Sequence, residues 1–185
     1  MVNTTHPIVA TIHTPMMVDT QMRYDEAGDV HSKIEHLMGK TVSYHFEQKL
    51  IDHAQKITTV SHSVREELES YGLEKESIDV IGNGVDEKLF VPSGERSETP
   101  MILYTGRIDY RKGLYDLIDS SRIICKMHPD VKFVITGKGH LLEKLQSKVD
   151  SLGLRDHFDF VGFVSKSDLI RLYQQATLYV LPSHY

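Results

Sequence analysis

From Met101 onward, short apolar runs rich in β-branched residues alternate with stretches whose apolar positions recur every three or four residues. That alternation predicts βαβ units and a parallel sheet, an α/β fold. Strands are expected at MILYTG (101–106), VKFVITG (131–137), FDFVGFV (158–164) and LYVLPS (178–183). These runs are too continuously apolar to be half exposed, as in a sheet covered on both faces. Helices fill the gaps. The first, from about Gly113, turns Leu114, Leu117, Ile118, Ser121 and Ile124 inward; the second, from about His140, uses Leu141, Leu142, Leu145 and Val149. The third is expected to open at Ser165, with Asp168 three residues on completing a capping box.

The first half is less regular. It predicts a strand at IVATIH (8–13), a long helix over about 30–54, a strand at KITTVS (56–61), a helix capped by Ser63 with Glu66, and a strand at IDVIG (78–82). These look like later units of another α/β domain. The expected division is therefore residues 1–91 in one Rossmann-like domain, a polar linker over 92–100, and the first four strands of a second such domain over 101–185. Asn83 and Gly84 most simply form a tight turn at the hinge, with a sugar or phosphate contact as the second reading.

Composition narrows the function. The 185 residues are 40% apolar, enough for packed cores, and the net charge of −5 argues against a general nucleic-acid binder. Any anion site must be local. The single cysteine, Cys125, falls on the apolar stripe of the first helix of the second half, so a buried core thiol is expected, in keeping with a reducing cytoplasm. No run approaches the roughly 20 apolar residues of a membrane span, and the N-terminus has neither the charge nor the cleavage pattern of a signal peptide. A soluble chain is expected.

Ligands of open parallel sheets bind outside the carboxyl ends of the strands. Each unusual stretch of the second half falls there: Gly106-Arg107 and Lys112 after the first strand, Gly137-Lys138-Gly139 after the second, Val164-Ser165 after the third, Pro182-Ser183 after the fourth. Two cations among glycine-bearing turns suit a diphosphate, because an arginine forms a fork to phosphate oxygens and a lysine adds a point charge. Basic loops are also often merely solvated, and glycine turns often bind nothing. Neither GxxxxGK[ST] nor GxGxxG occurs, so a nucleoside-triphosphate loop and a nicotinamide site are not indicated. No Asp-x-Asp occurs, and the eleven histidines show no zinc-ligand spacing, so no metal is expected.

In order and spacing, ATIHTP (10–15), ITTVSHSVREEL (57–68), VIGNGVDEKLF (80–90), GRIDYRKG (106–113), FVITGKGHLLEKL (133–145) and FVGFVSKSDLIRLYQQATLYVLPS (160–183) resemble the retaining glycosyltransferases of family 4, or group 1, which have the GT-B fold of two Rossmann-like domains. The resemblance covers nearly the whole chain. It implies that Arg107 and Lys112 hold the diphosphate of a nucleotide sugar, that Gly106, Gly137 and Gly139 let backbone approach the nucleotide, and that the main chain at Val164 meets the base. It implies that His13 is the active-site histidine reaching across the cleft, although a histidine at a strand end can equally bond within its own domain. Gly82 stands where the family commonly has proline.

The implied activity is transfer of a sugar from a nucleotide-sugar donor to a glycan, lipid or small-molecule acceptor, with retention, without metal and without a cofactor, since the nucleotide sugar is a substrate. The family's two acidic residues after the last proline-serine pair have no counterpart before Tyr185, nor do its first strands before Met1. A fragment incomplete at both ends is therefore expected: inactive alone, inclined to self-associate, and cytoplasmic, with peripheral contact at the inner face of a membrane through the absent N-terminal part. The competing readings are a nucleotide-binding module without catalysis and a related epimerase or phosphorylase.

Overall fold

The computed structural model describes residues 6–15, 34, 37, 44–94 and 96–184, and divides the chain into two compact units, Met1–Val85 and Asp86–Tyr185. Among the described residues the first unit carries three parallel strands in the order β1-β2-β3: β1 (Val9–Ile12), β2 (Lys56–Thr59) and β3 (Ile78–Val80). Helix α1 (Tyr44–His53) precedes β2, and α2 (His62–Ser70) lies between β2 and β3. Ile12, Ile57 and Ile78 project from one sheet face onto Val64 and Leu68 of α2, forming a small core. The opposite face of β1 leaves Val9 exposed. Of the long helix expected over 30–54, Ile34, Leu37 and Tyr44–His53 are helical; the remainder lies outside the described residues.

Helix α2 starts earlier than its pattern suggested. Ser61, in extended backbone, is the N-cap, and its hydroxyl accepts the Val64 N–H at 3.2 Å. Ser63 is already inside the helix, because β2 ends at Thr59 and leaves only Val60 before the cap. The expected tight turn at Asn83-Gly84 is absent: residues 81–86 have no turn, and neither residue has a positive φ. The chain turns later. Asp86 accepts the Leu89 and Phe90 N–H groups on its carbonyl and the Lys88 N–H on its carboxylate, a local bond that draws the turn to Asp86.

The second unit is a four-stranded parallel sheet in the order β6-β5-β4-β7, with β4 (Met101–Thr105), β5 (Lys132–Thr136), β6 (Phe158–Gly162) and β7 (Leu178–Tyr179). Helices α3 (Leu114–Met127), α4 (Leu142–Ser151) and α5 (Lys166–Gln175) alternate with them. Side-chain alternation explains the continuous apolar runs of β4 and β5. Ile102, Tyr104, Phe133 and Ile135 face Leu117, Leu145 and Val149 of α3 and α4, whereas Met101, Leu103 and Val134 face Leu172 and Tyr173 of α5. Cys125 is buried as expected, and desolvation raises its thiol pKa.

Full burial does not extend to the outer strands. Leu178 is 56% exposed, and in β6 only Phe158 is buried, with Asp159 and Val161 exposed and Phe160 and Gly162 half-buried. Among the described residues each of these strands pairs with one neighbour, and β7 is short because Pro182 lacks an N–H to continue the ladder. The segment before β4 is also held in this unit: Ser97 N–H bonds Gln175 O at 3.2 Å, Gln174 bonds Val91 O, and Phe90 meets Tyr173 edge to face.

Candidate nucleotide-binding rim

The strand order fixes where a site can form. Moving from β4 to β5 and β6 the chain adds strands on one side under α3 and α4; it then crosses through α5, on the other face, to place β7 on the far side of β4. The β4/β7 boundary is thus a topological switch point, where the loops leaving the carboxyl ends diverge and open a crevice. The loop 106–113 leaves β4 there, and the segment 180–184 leaves β7 there.

These loops are joined by backbone. Gly106 N–H donates to Thr136 O, Ile108 N–H to Lys138 O at 3.0 Å, Gly137 N–H to Gly162 O at 2.7 Å, and His184 N–H to Arg111 O at 2.9 Å. Glycine makes the close approach possible. A Cβ on Gly137 would stand 1.8 Å from Gly106 O, and one on Gly139 would stand 2.0 Å from Ile108 O. Gly113, at φ 65° before α3, similarly has Pro182 O where a Cβ would lie. Beyond a bulge at the β5/β6 register shift the chain delivers Phe163 and Val164 to the same rim. Lys138 sits 5.7 Å from the centre of the exposed Phe163 ring.

Arg107 and Lys112 occupy one loop. Tyr104, fully buried at the end of β4, donates its hydroxyl to Arg107 O at 2.7 Å and so fixes the backbone from which the arginine springs. Burial, reinforced by the Asp109 carboxylate, holds the Tyr104 phenol above its usual pKa. The Arg107 side chain is 64% exposed, with its Nε 3.7 Å from Asp109 Oδ2. Lys112 closes the 3-10 turn Tyr110–Lys112 through its N–H to Asp109 O at 3.2 Å. Among the described residues no group of three or more His, Cys, Asp or Glu could hold a metal ion.

The structure therefore gathers Gly106, Arg107, Lys112, Gly137, Gly139 and Val164 along one rim of the second unit. His13, exposed just past the carboxyl end of β1, and Asn83 and Gly84, exposed past β3, belong to the first unit. Residue patterns did not single out Asp109 or Tyr104. The signal that was available is an acid two residues after Arg107 within an otherwise basic loop.

Comparison with known proteins gives a consistent picture. The family model of glycosyl transferases group 1 matches residues 85–185, and that of glycosyltransferase family 4 matches residues 4–89. The chain is 34% identical over 144 residues to a glycosyltransferase of Methanocaldococcus jannaschii, covering 70% of this chain and 37% of the relative. It is 29% identical over 182 residues to a glycogen synthase of Mycobacterium tuberculosis, covering 97% and 41% respectively. Among solved structures it resembles Anabaena HepE in complex with UDP and glucose, with a TM-score of 0.68 at 17% identity, over 96% of this chain and 46% of that one. The chain thus spans about two fifths of the length of these relatives.

Proposed function

Because the chain belongs to the glycosyl transferases of group 1, we propose that its second unit binds the diphosphate of a nucleotide-sugar donor and that the whole protein transfers the sugar, with retention, to a glycan, lipid or small-molecule acceptor. The observation that carries this reading is the placement of Arg107 and Lys112 on one loop at the switch point of the sheet. As the donor's glycosidic bond breaks, negative charge grows on the departing diphosphate while the sugar becomes oxocarbenium-like. Fixed cations at the phosphates stabilise that separation more than they stabilise the bound substrate. Arg107 offers a fork to two phosphate oxygens and Lys112 a point charge.

The remaining rim residues take binding roles in this proposal. Gly106, Gly137 and Gly139 keep the backbone low beside the nucleotide, and the main chain at Val164 meets the base; His13, which is not part of this rim, is assigned the catalytic histidine's role in the whole protein. Asn83 or Gly84 is a further donor contact. The UDP in the HepE structure is the kind of ligand this rim would take. Protein cations serve where other enzymes use a divalent ion, so donor binding should survive chelation. Loss of chelator-treated binding, restored by magnesium or manganese, would overturn the metal-independent part.

Calorimetric titration tests the rest. Arg107→Ala and Lys112→Ala should each weaken nucleoside-diphosphate binding by about 1.5–3 kcal/mol, the size of one hydrogen bond to a charged group. Arg111→Ala should cost less. Unchanged affinity in a folded Arg107→Ala variant would remove the diphosphate assignment. Binding without turnover in the whole protein would favour a non-catalytic nucleotide-binding module instead.

A further inference from the structure

Asp109 raises a question that the rim's two cations do not answer. It occupies the N-cap position of the 3-10 turn Tyr110–Lys112 in extended backbone, φ −133° and ψ 169°, where an aspartate ordinarily accepts a backbone N–H. Its side chain makes no such bond. The carboxylate is instead turned to Arg107, with Oδ2 3.7 Å from Nε, and is only 19% exposed although it belongs to a loop. Its other oxygen, Oδ1, is buried without a hydrogen-bond partner among the described residues. Burying a carboxylate oxygen while forgoing an available cap is costly unless the side chain serves another group. The charged group facing the carboxylate is the Arg107 guanidinium, at Oδ2, while Oδ1 stays unpaired among the described residues.

The consequence is directional. An arginine that is 64% exposed samples many rotamers, and a diphosphate that captures it must hold one of them. Contact at Nε leaves both terminal nitrogens, Nη1 and Nη2, available as a fork. Tyr104 fixes the Arg107 carbonyl from below and the Asp109 carbonyl accepts the Lys112 N–H, so one short segment sets the direction of one cation and the position of the other. We propose that Asp109 is a positioning residue that aims the Arg107 guanidinium at the donor diphosphate. The proposal rests on the reading of Arg107 as a diphosphate contact. A carboxylate beside a diphosphate also repels it, and the two effects have opposite signs in a variant that keeps the shape and loses the charge.

The test is Asp109→Asn, which preserves size and the ability to cap, alone and combined with Arg107→Ala in the full chain. UDP, GDP and ADP are titrated calorimetrically, with inorganic pyrophosphate as the base-free probe. Asp109→Asn should weaken binding about two- to fivefold, the upper part of the range for an ion pair with one exposed partner. It should add nothing in the Arg107→Ala background. The order parameter of the Arg107 Nε–Hε group, measured by NMR without ligand, should fall in Asp109→Asn. Equal or tighter binding in Asp109→Asn, or an unchanged order parameter, overturns the positioning role and leaves the diphosphate site standing. Binding of none of the probes by the parent, or equal binding by Arg107→Ala, overturns the site and this inference together.

Discussion

Gly139 and Arg107 point to the same ligand in the sequence, yet the structure gives them different reasons to be there. The missing side chains of Gly137 and Gly139 make room for the carbonyls of Gly106 and Ile108, so these positions require glycine before any nucleotide arrives. Alanine at either position should cost about 1–3 kcal/mol of stability in ligand-free protein, as overpacking does. Gly84→Ala should stay within about 0.5 kcal/mol of the parent, since nothing lies within 4 Å of its added methyl and its φ is ordinary. Urea denaturation measures both. A Gly139→Ala variant of full stability but poor nucleotide affinity would show that the ligand, and not the neighbouring loop, sets the residue. Tyr104 makes a second claim at this scale. Burial raises its pKa in the folded state, so folding keeps the phenol protonated; the stability this represents is fully present below pH about 10 and is lost as pH rises beyond it. Tyr104→Phe should flatten the alkaline decline of the unfolding midpoint; an identical decline in parent and variant would assign it to other groups.

At the scale of elements, helix starts provide the clearest comparison between pattern and structure. Ser165 accepts the Asp168 N–H at 3.1 Å and donates its hydroxyl to the Asp168 carboxylate, so the cap of α5 was legible from SKSD alone. That hydrogen bond, aided by Arg171, lowers the Asp168 pKa, so its contribution is present above the ordinary carboxylate range and lost as pH falls below it. Ser61, not Ser63, caps α2: Ser63 has Glu66 three residues on and Ser61 only Val64, so the motif favoured the wrong serine, and the end of β2 decides between them. Ser61→Ala and Ser165→Ala should each cost about 0.5–2 kcal/mol, and Ser63→Ala much less; a larger loss for Ser63→Ala in thermal unfolding would contradict the observed cap. Central strands were legible because burial on both faces writes itself into MILYTG and KFVIT. Exposure of the edges was not, since strand order depends on a crossover that no local pattern encodes. The site divides in the same way: cations and glycines show in the loops, whereas the part played by Asp109 needs Arg107 to be placed beside it.

At the scale of the whole chain, two separate cores imply two stabilities. Leu68 is fully buried among Ile12, Ile57, Val64 and Ile78 of the first unit, and Leu145 is fully buried in the larger cluster beneath β4 and β5 of the second. Among the described residues the first unit's buried cluster is the smaller of the two. Leu68→Ala and Leu145→Ala should each cost about 2–5 kcal/mol, but in different places. Hydrogen exchange separates them: Leu68→Ala should speed exchange in β2 and α2 while β4 and β5 keep their protection, and Leu145→Ala should do the reverse. A nucleoside diphosphate that binds the rim stabilises only the states in which the rim is folded, so its protection should be greatest in the second unit and should be lost with Arg107→Ala. Were either core substitution to accelerate exchange uniformly from β1 to β7, the chain would unfold as one cooperative body. The rim could then not be treated as folding independently of the first unit.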